Sequence, residues 1–163
     1  MISERPLSAP ELSQFERYRQ LGIELLGVSA TAAAKMLVEA VDEFVDKWQN
    51  ERRGLSRMFR SHTDAVEPAR GLGVVWGDQM VRHFEWSWIC EIRDGEERFA
   101  VAAPNRSLVI YAPQFIHDCL HNPRIDCTVM LAFNMQEAGN FTGSQAREYV
   151  DVMSGIHRIV PKR

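Results

Sequence analysis

The spacing of the apolar residues changes at Trp86, and this change constrains the fold more than any other feature of the chain. Before it, apolar residues recur at steps of four, three and four, at Leu37, Val41, Phe44 and Trp48. That spacing is typical of one face of an α-helix. From Trp86 onward the period is two, as in a half-buried strand. Helices followed by strands predict an α+β fold with an antiparallel sheet.

Three helices are predicted before the change. The first begins after Ser8 and ends at Gly27, a residue type common at helix ends. The second begins at Ser29 or Thr31, and the short turn between the two helices predicts an antiparallel pair. The third begins near residues 63–64.

The second half of the chain predicts about four strands. Asp94 and Gly95 indicate a hairpin turn, and a further strand at 108–111 completes a three-strand meander. A short helix should follow and stop before Pro123. The fourth strand is predicted from alternating apolar residues at Cys127, Val129, Leu131, Phe133 and Met135. A last helix is expected over about 144–153.

Composition favours one domain in the cytoplasm. The 163 residues predict a single α+β domain over 1–163, with a helical pair (1–50), a polar basic linker (51–64), a helix plus the sheet (65–155) and a tail (156–163). A net charge of -3 gives no reason to expect nucleic acid or a membrane surface as a partner. The three cysteines form no CxxC pair, and neither a signal peptide nor a membrane span is evident.

The heptapeptide GLGVVWG, residues 71–77, has glycines spaced like the start of a nucleotide-binding loop. Such a loop follows a strand and opens a helix, whereas the preceding DAVEPAR is not strand-like and no Lys-Ser/Thr pair follows. On a helix, Gly73 and Gly77 lie one turn apart and let another element approach closely. We therefore predict packing glycines and no cofactor.

One pattern resembles a metal site. In HDCLH, His117 and His121 are four residues apart, so a helix would place both imidazoles on one face. No glutamate occupies the second position of an HExxH motif, and we favour two surface histidines without metal. A small metal-dependent hydrolase that uses both histidines remains the alternative. No serine or cysteine lies in a tight strand–helix elbow, so no catalytic residue is assigned.

Two surfaces are candidates for binding a protein partner. The linker carries Arg53, Arg57 and Arg60, which could attract an acidic surface. The second surface is the sheet face opposite the helices, which is semi-apolar and to which Tyr111 contributes. Its other expected members are Ile89, Glu91, Ala100, Ala102, Met130, Ala132 and Asn134. Either the N-terminal helices cover this face or it is offered to a partner.

Residues 71–120 resemble a small bacterial family of uncharacterised domains, in which an LGxxxG helix runs into a Trp-containing strand. The matching positions are Leu72, Gly73, Gly77, Arg82, Trp88 and Pro113. The resemblance covers about one third of the chain and implies an α+β fold without an established activity. Proteins of this type are similar in size and character to immunity proteins encoded beside secreted bacterial toxins.

These observations favour a non-enzymatic protein-binding module, although they leave enzymatic activity open. Its most concrete form is an immunity-type protein that binds and neutralises a cognate toxin or effector. The alternatives are the hydrolase and a structural or oligomerising subunit. A homo-oligomer is compatible with each of these functions.

Overall fold

A computed structural model describes residues 2–53, 64–141 and 145–156 of the protein. The helices are α1 (Ala9–Leu26), α2 (Ala34–Arg53), α3 (Val66–Phe84), α4 (Ala112–His121) and α5 (Val129–Glu137). The strands are β1 (Ile2–Arg5), β2 (Ser87–Arg93), β3 (Glu96–Ala102), β4 (Leu108–Ile110) and β5 (Val150–Asp151), and a 3₁₀ turn follows at Val152–Gly155. The sheet order is β1-β2-β3-β4-β5, antiparallel except for the parallel pair β4–β5. The predicted α+β class is confirmed.

The first helix begins and ends where its sequence predicts. Ser8 and Glu11 form a capping box, in which the Glu11 carboxylate accepts from the Ser8 backbone N–H at 2.7 Å. Gly27 ends the helix with φ 63°, a left-handed conformation that glycine adopts without strain. The expected pairing of α1 with α2 is wrong, because the two helices barely touch each other. Helix α1 packs mainly against α3, whereas α2 packs against α3, α5 and α4.

Helix α3 is the centre of the molecule, and its glycines are packing residues as predicted. A Cβ at Gly73 would lie 2.4 Å from Cα of Pro113, and one at Gly77 would lie 2.2 Å from Cζ2 of Trp88. The helix is therefore in close contact with the start of α4 on one side and with the sheet on another.

The hairpin prediction is also confirmed. Asp94 and Gly95 have φ 53° and 87°, the positive values that a tight two-residue hairpin requires. The turn sets the register, in which Arg93 pairs with Glu96 and Trp88 with Val101.

The predicted fourth strand is wrong, because residues 129–137 form α5. Buried Val129, Ala132 and Phe133 follow the helical spacing i, i+3, i+4. Met130 and Ala132, which lie between the alternating positions 129, 131 and 133, are apolar too. The segment therefore fits both the helical period of 3.6 and the strand period of two. Of the surface members expected from a strand here, Met130, Ala132 and Asn134 instead belong to this helix.

The predicted last helix is wrong over its described part. Arg147 and Tyr149 have φ 65° and 49°, which helical residues do not adopt. The Tyr149 and Val150 N–H groups donate to the carbonyls of Arg106 and Ser107, so the chain forms β5 beside β4 instead. Ser144, where this helix was predicted to begin, lies outside the described part.

The N-terminal strand was not predicted. Residues of β1 pair with β2, with Glu4 opposite Glu91 and Arg5 opposite Cys90. A four-residue segment with two charged side chains gives almost no strand pattern, so the pairing is decided by the neighbouring sheet.

The two faces of the sheet separate as expected on β2 and β3. Phe15 of α1 packs edge-on against Trp88 and Phe99, at ring distances of 4.8 and 5.3 Å. The opposite face holds a smaller buried cluster of Ile89, Ala100, Ala102 and Val109, with Tyr111 and Tyr149 against it. Of the N-terminal pair, helix α1 thus covers the face of Trp88, together with α3, and does not cover this second face.

None of the helices in the described ranges is both long and apolar enough to cross a membrane.

Candidate functional site

A cleft of about 820 Å³ opens beside β3, and we refer to it as the β3 cleft. Helices α1, α3 and α4 form its walls on one side, and Tyr111 with the β5 region closes the other. Its principal lining residues are Phe15, Tyr18, Arg70, Phe99, Tyr111 and Asp151. A concave site of this size falls in the range that ligands and partner side chains occupy.

The cleft exists because β4 is short. Strand β4 pairs with β3 only at Val101 and Ala102, and the chain then leaves the sheet to begin α4. The contact of Pro113 with Gly73 holds the start of α4 against α3. The stretch 96–99 of β3 therefore has β2 on one side and the cleft on the other.

The backbone of this stretch presents hydrogen-bonding groups to the cleft. In a hairpin with a two-residue turn, the pair flanking the turn is hydrogen-bonded, and hydrogen-bonded pairs then alternate along the strands. Because Arg93 and Glu96 flank the turn, Glu97, Phe99 and Val101 direct their N–H and C=O groups away from β2. Val101 pairs with Ile110, whereas Glu97 and Phe99 have no backbone partner on that side among the described residues.

Aromatic rings form an apolar floor. Phe15 and Phe99 meet edge to face, and Phe115 of α4 lies 5.8 Å from the buried ring of Trp76. Phe99 and Phe115 are only partly buried, so their remaining surface is open to the cleft.

Two arginines stand at the rim, and each is already held by an acidic neighbour. Arg70 donates to Glu67 at 3.0 Å and to the Tyr18 hydroxyl at 3.0 Å. Arg98 donates to Glu96 at 2.6 Å.

The negative charges of the carboxylates that line the cleft are only partly neutralised by cationic side chains. Glu97 accepts a hydrogen bond at 2.9 Å from Arg5, and the same arginine also binds Glu11. Asp118 accepts from Gln114 at 2.8 Å, and Asp151 accepts from the Met153 N–H at 3.0 Å. Neither aspartate forms an ion pair with a lysine or arginine of the described part of the chain. The cleft therefore has unbalanced negative charge.

Asp151 has a perturbed titration. Burial raises its pKa above the ordinary 3.8, and the nearby negative charge of Glu91 acts in the same direction. The Met153 N–H and the Arg93 charge oppose the shift.

Tyr111, the candidate binding residue on the sheet, is half-buried and lines the cleft. Its hydroxyl donates at 2.5 Å to Glu91, whose side chain is only 1% exposed and also accepts from Arg93 at 2.8 Å. Burial, followed by this hydrogen bond, raises the pKa of Tyr111 well above 10. The ring is thus fixed at the edge of the cleft by a buried carboxylate.

His117 and His121 lie on one face of α4, as their spacing predicts, with rings stacked at 5.3 Å. A carboxylate oxygen of Asp118 lies 3.6 Å from His117 Nδ1. Among the described residues, the histidine pair is not part of any cluster of three potential ligands, so it forms an incomplete metal site.

One group of three potential ligands does occur, formed by Glu11, Cys90 and Glu97. The Arg5 guanidinium already bridges its two carboxylates at 2.8 and 2.9 Å. Burial raises the pKa of the Cys90 thiol, which disfavours the thiolate that a metal requires. The group is an ion-pair network around arginine.

The basic candidates lie mostly outside the described residues. Arg53 is the last residue of α2, which extends three residues into the predicted 51–64 linker. Its side chain, and all of Arg57 and Arg60, fall outside the described part.

The sequence analysis did not identify the outer part of β3 or Asp151 as part of a binding site. The hairpin register was available from Asp94 and Gly95 and could have identified Glu97 and Phe99 as the outward-facing backbone. The early end of β4 depends on a contact between α3 and α4, which no local pattern encodes.

Compared with known proteins, the chain matches no family model, no curated protein and no solved structure.

Proposed function

We propose that this chain is a non-enzymatic protein-binding module and that its partner docks at the β3 cleft. The observation that carries the proposal is the edge of β3 at Glu97 and Phe99, which pairs with no other strand in the described part of the chain and lies beside a concave, aromatic-lined surface. Edges of this kind are usually protected in proteins, because their unpaired backbone groups recruit other chains.

The side chains around the cleft support a protein partner. Aromatic residues and arginine are enriched at protein interfaces. Tyrosine and arginine are among the residues that contribute most of the binding energy at the centre of a desolvated patch. Tyr18, Arg70, Phe99 and Tyr111 supply these types along one wall or rim of the cleft. Tyr111 is also held by Glu91, so little side-chain entropy is lost when a partner orders it.

The finer form of the proposal is an immunity-type protein that neutralises a toxin or effector in the cytoplasm. It is supported by the resemblance of residues 71–120 to the bacterial domain family. An inhibitor of this kind must associate quickly, and complementary charge raises association rates. Arg53, Arg57 and Arg60 are the proposed source of that charge.

The test is to recover the partner and measure its binding kinetics. The protein would be immobilised to capture its partner from the bacterium that encodes it, and the purified pair would be measured by surface plasmon resonance. Tyr111→Ala should accelerate dissociation about tenfold or more, because it removes an aromatic anchor. The triple change of Arg53, Arg57 and Arg60 to glutamate should instead slow association and weaken its salt dependence.

Met36→Ala is the matched control, because Met36 is 61% exposed on α2, away from the cleft residues. Its rate constants should equal those of the wild type. If Tyr111→Ala leaves dissociation unchanged, the cleft is not the docking site. Failure to recover any protein partner would remove the basis of the binding-module proposal.

A further inference from the structure

The free edge of β3 limits the conformation of whatever binds there. Glu97 and Phe99 each offer an N–H and a C=O, and alternate residues of a strand present these groups on the same side. An extended polypeptide beside β3 satisfies both residues with main-chain hydrogen bonds, as in β-strand addition. A helix cannot do so, because its own backbone groups are already paired.

The side chains of such a strand would meet two different environments. Phe99 faces the helices, so side chains on that side contact the aromatic floor of Phe15, Phe99 and Phe115. Asp151 is opposite Val109 on the second face of the sheet, so the alternate side chains approach Asp151. Because Arg98 is engaged by Glu96 and no lysine or arginine of the described residues lies at ion-pair distance from Asp151, this side favours a positive charge.

We propose that the β3 cleft takes an extended segment of a partner polypeptide, which adds to β3 as a strand and directs a lysine or arginine toward Asp151. This inference rests on the proposed function and specifies the kind of segment that docks. The apolar side chains of the same segment, two residues apart, pack on the aromatic floor.

The test uses a capped peptide of about nine residues that alternates threonine and valine, with lysine at its centre. A second peptide has glutamate in place of lysine, and a third has N-methyl groups on the backbone amides that would face β3. Binding to the full chain is measured by fluorescence anisotropy. Amide hydrogen exchange of Glu97 and Phe99 is followed by nuclear magnetic resonance.

The lysine peptide should bind about tenfold more tightly than the glutamate peptide, because its charge is complementary to the cleft. N-methylation should abolish binding, since it removes the main-chain hydrogen bonds. The Glu97 and Phe99 amides should become protected when the lysine peptide is bound, and the N-methylated peptide should leave their exchange unchanged. Asp151→Asn should remove most of the preference for lysine over glutamate, whereas Glu39→Gln, the same change of charge at an exposed position on α2, should leave it intact.

The inference would be overturned if the N-methylated peptide bound as tightly as the unmethylated lysine peptide. It would also be overturned if the lysine and glutamate peptides bound equally tightly. Protection of Phe99 in the protein alone, rising with its concentration, would assign the edge to a second copy of the chain instead. If the peptides do not bind but Tyr111→Ala still accelerates dissociation of the captured partner, strand addition is wrong and the proposed function stands.

Discussion

The two halves of β3 belong to one strand but lie in different surroundings. The inner half, residues 100–102, is fully buried and pairs with both β2 and β4. Among the described residues, the outer half, residues 96–99, pairs with β2 alone, and three of its four side chains are exposed. The alternation of side chains is the same in both halves. The difference arises outside the strand, where Pro113 meets Gly73 and β4 leaves the sheet.

The inner half should show the largest effect, through Gly77. A Cβ at Gly77 would lie 2.8 Å from Cγ2 of Val101 as well as against the Trp88 ring. Gly77→Leu should therefore lower the free energy of unfolding by about 3 kcal/mol, through overpacking between α3 and the sheet. Urea denaturation measures the change.

Gly155→Leu is the control, because nothing lies within 4 Å of a Cβ placed at Gly155. It should change stability by less than about 0.5 kcal/mol. Equal losses in the two variants would contradict the close packing of α3 against inner β3.

Hydrogen exchange compares the two halves directly. The Val101 N–H is paired across to β4, whereas the Glu97 and Phe99 N–H groups have no backbone partner in the described part. Without a bound partner, the Val101 amide should exchange at least about a hundredfold more slowly than the other two, which corresponds to about 2.8 kcal/mol of opening free energy. Nuclear magnetic resonance of the free protein gives the three rates. Slow exchange at Phe99 would mean that its edge is already occupied.

This contrast also marks how far the sequence predicts the molecule. Helices α1 to α3 and the hairpin were predictable because their information is local. Ser8, Gly27, Asp94 and Gly95 each set a cap or a turn through their own backbone preferences. The α3 glycines were identified as packing residues because the surrounding residues do not support a phosphate loop.

The errors lie where tertiary contacts choose between local patterns. Residues 129–137 are apolar at both helical and alternating positions, and packing against α2 selects the helix. β1 and β5 each gain their structure from a neighbouring strand. The β3 cleft was not predictable for the same reason, although Tyr111 was singled out as a contributor to its sheet face.

Two tyrosines provide a smaller test at the second face of the sheet. Tyr111 donates to Glu91, which is buried, while Tyr149 donates at 3.0 Å to Glu4 at an exposed site. Tyr111→Phe should lower the free energy of unfolding by about 1.5 kcal/mol, because it removes a hydrogen bond to a buried charge. Tyr149→Phe should cost less than about 0.5 kcal/mol. Thermal or urea denaturation of both variants at neutral pH measures the difference, and equal costs would show that Glu91 is not shielded from water.

The smallest effects concern Asp151, which lines the cleft, and Glu11, which shares Arg5 with the cleft residue Glu97. Their contributions to stability should change with pH in opposite directions. Hydrogen bonds from Arg5, then from Ser8, lower the pKa of Glu11 to about 2, whereas burial raises that of Asp151. Relative to Glu11→Gln, the wild type should gain stability as pH rises from about 2 to the ordinary 4.5, because the unfolded chain binds more protons in that window. Relative to Asp151→Asn, it should lose stability as pH rises above 3.8, because there the folded chain binds more protons. Urea denaturation from about pH 2 to 4.5 for Glu11→Gln, and from pH 3.8 upward for Asp151→Asn, tests the two signs. If both variants give slopes of one sign, burial does not dominate the titration of Asp151.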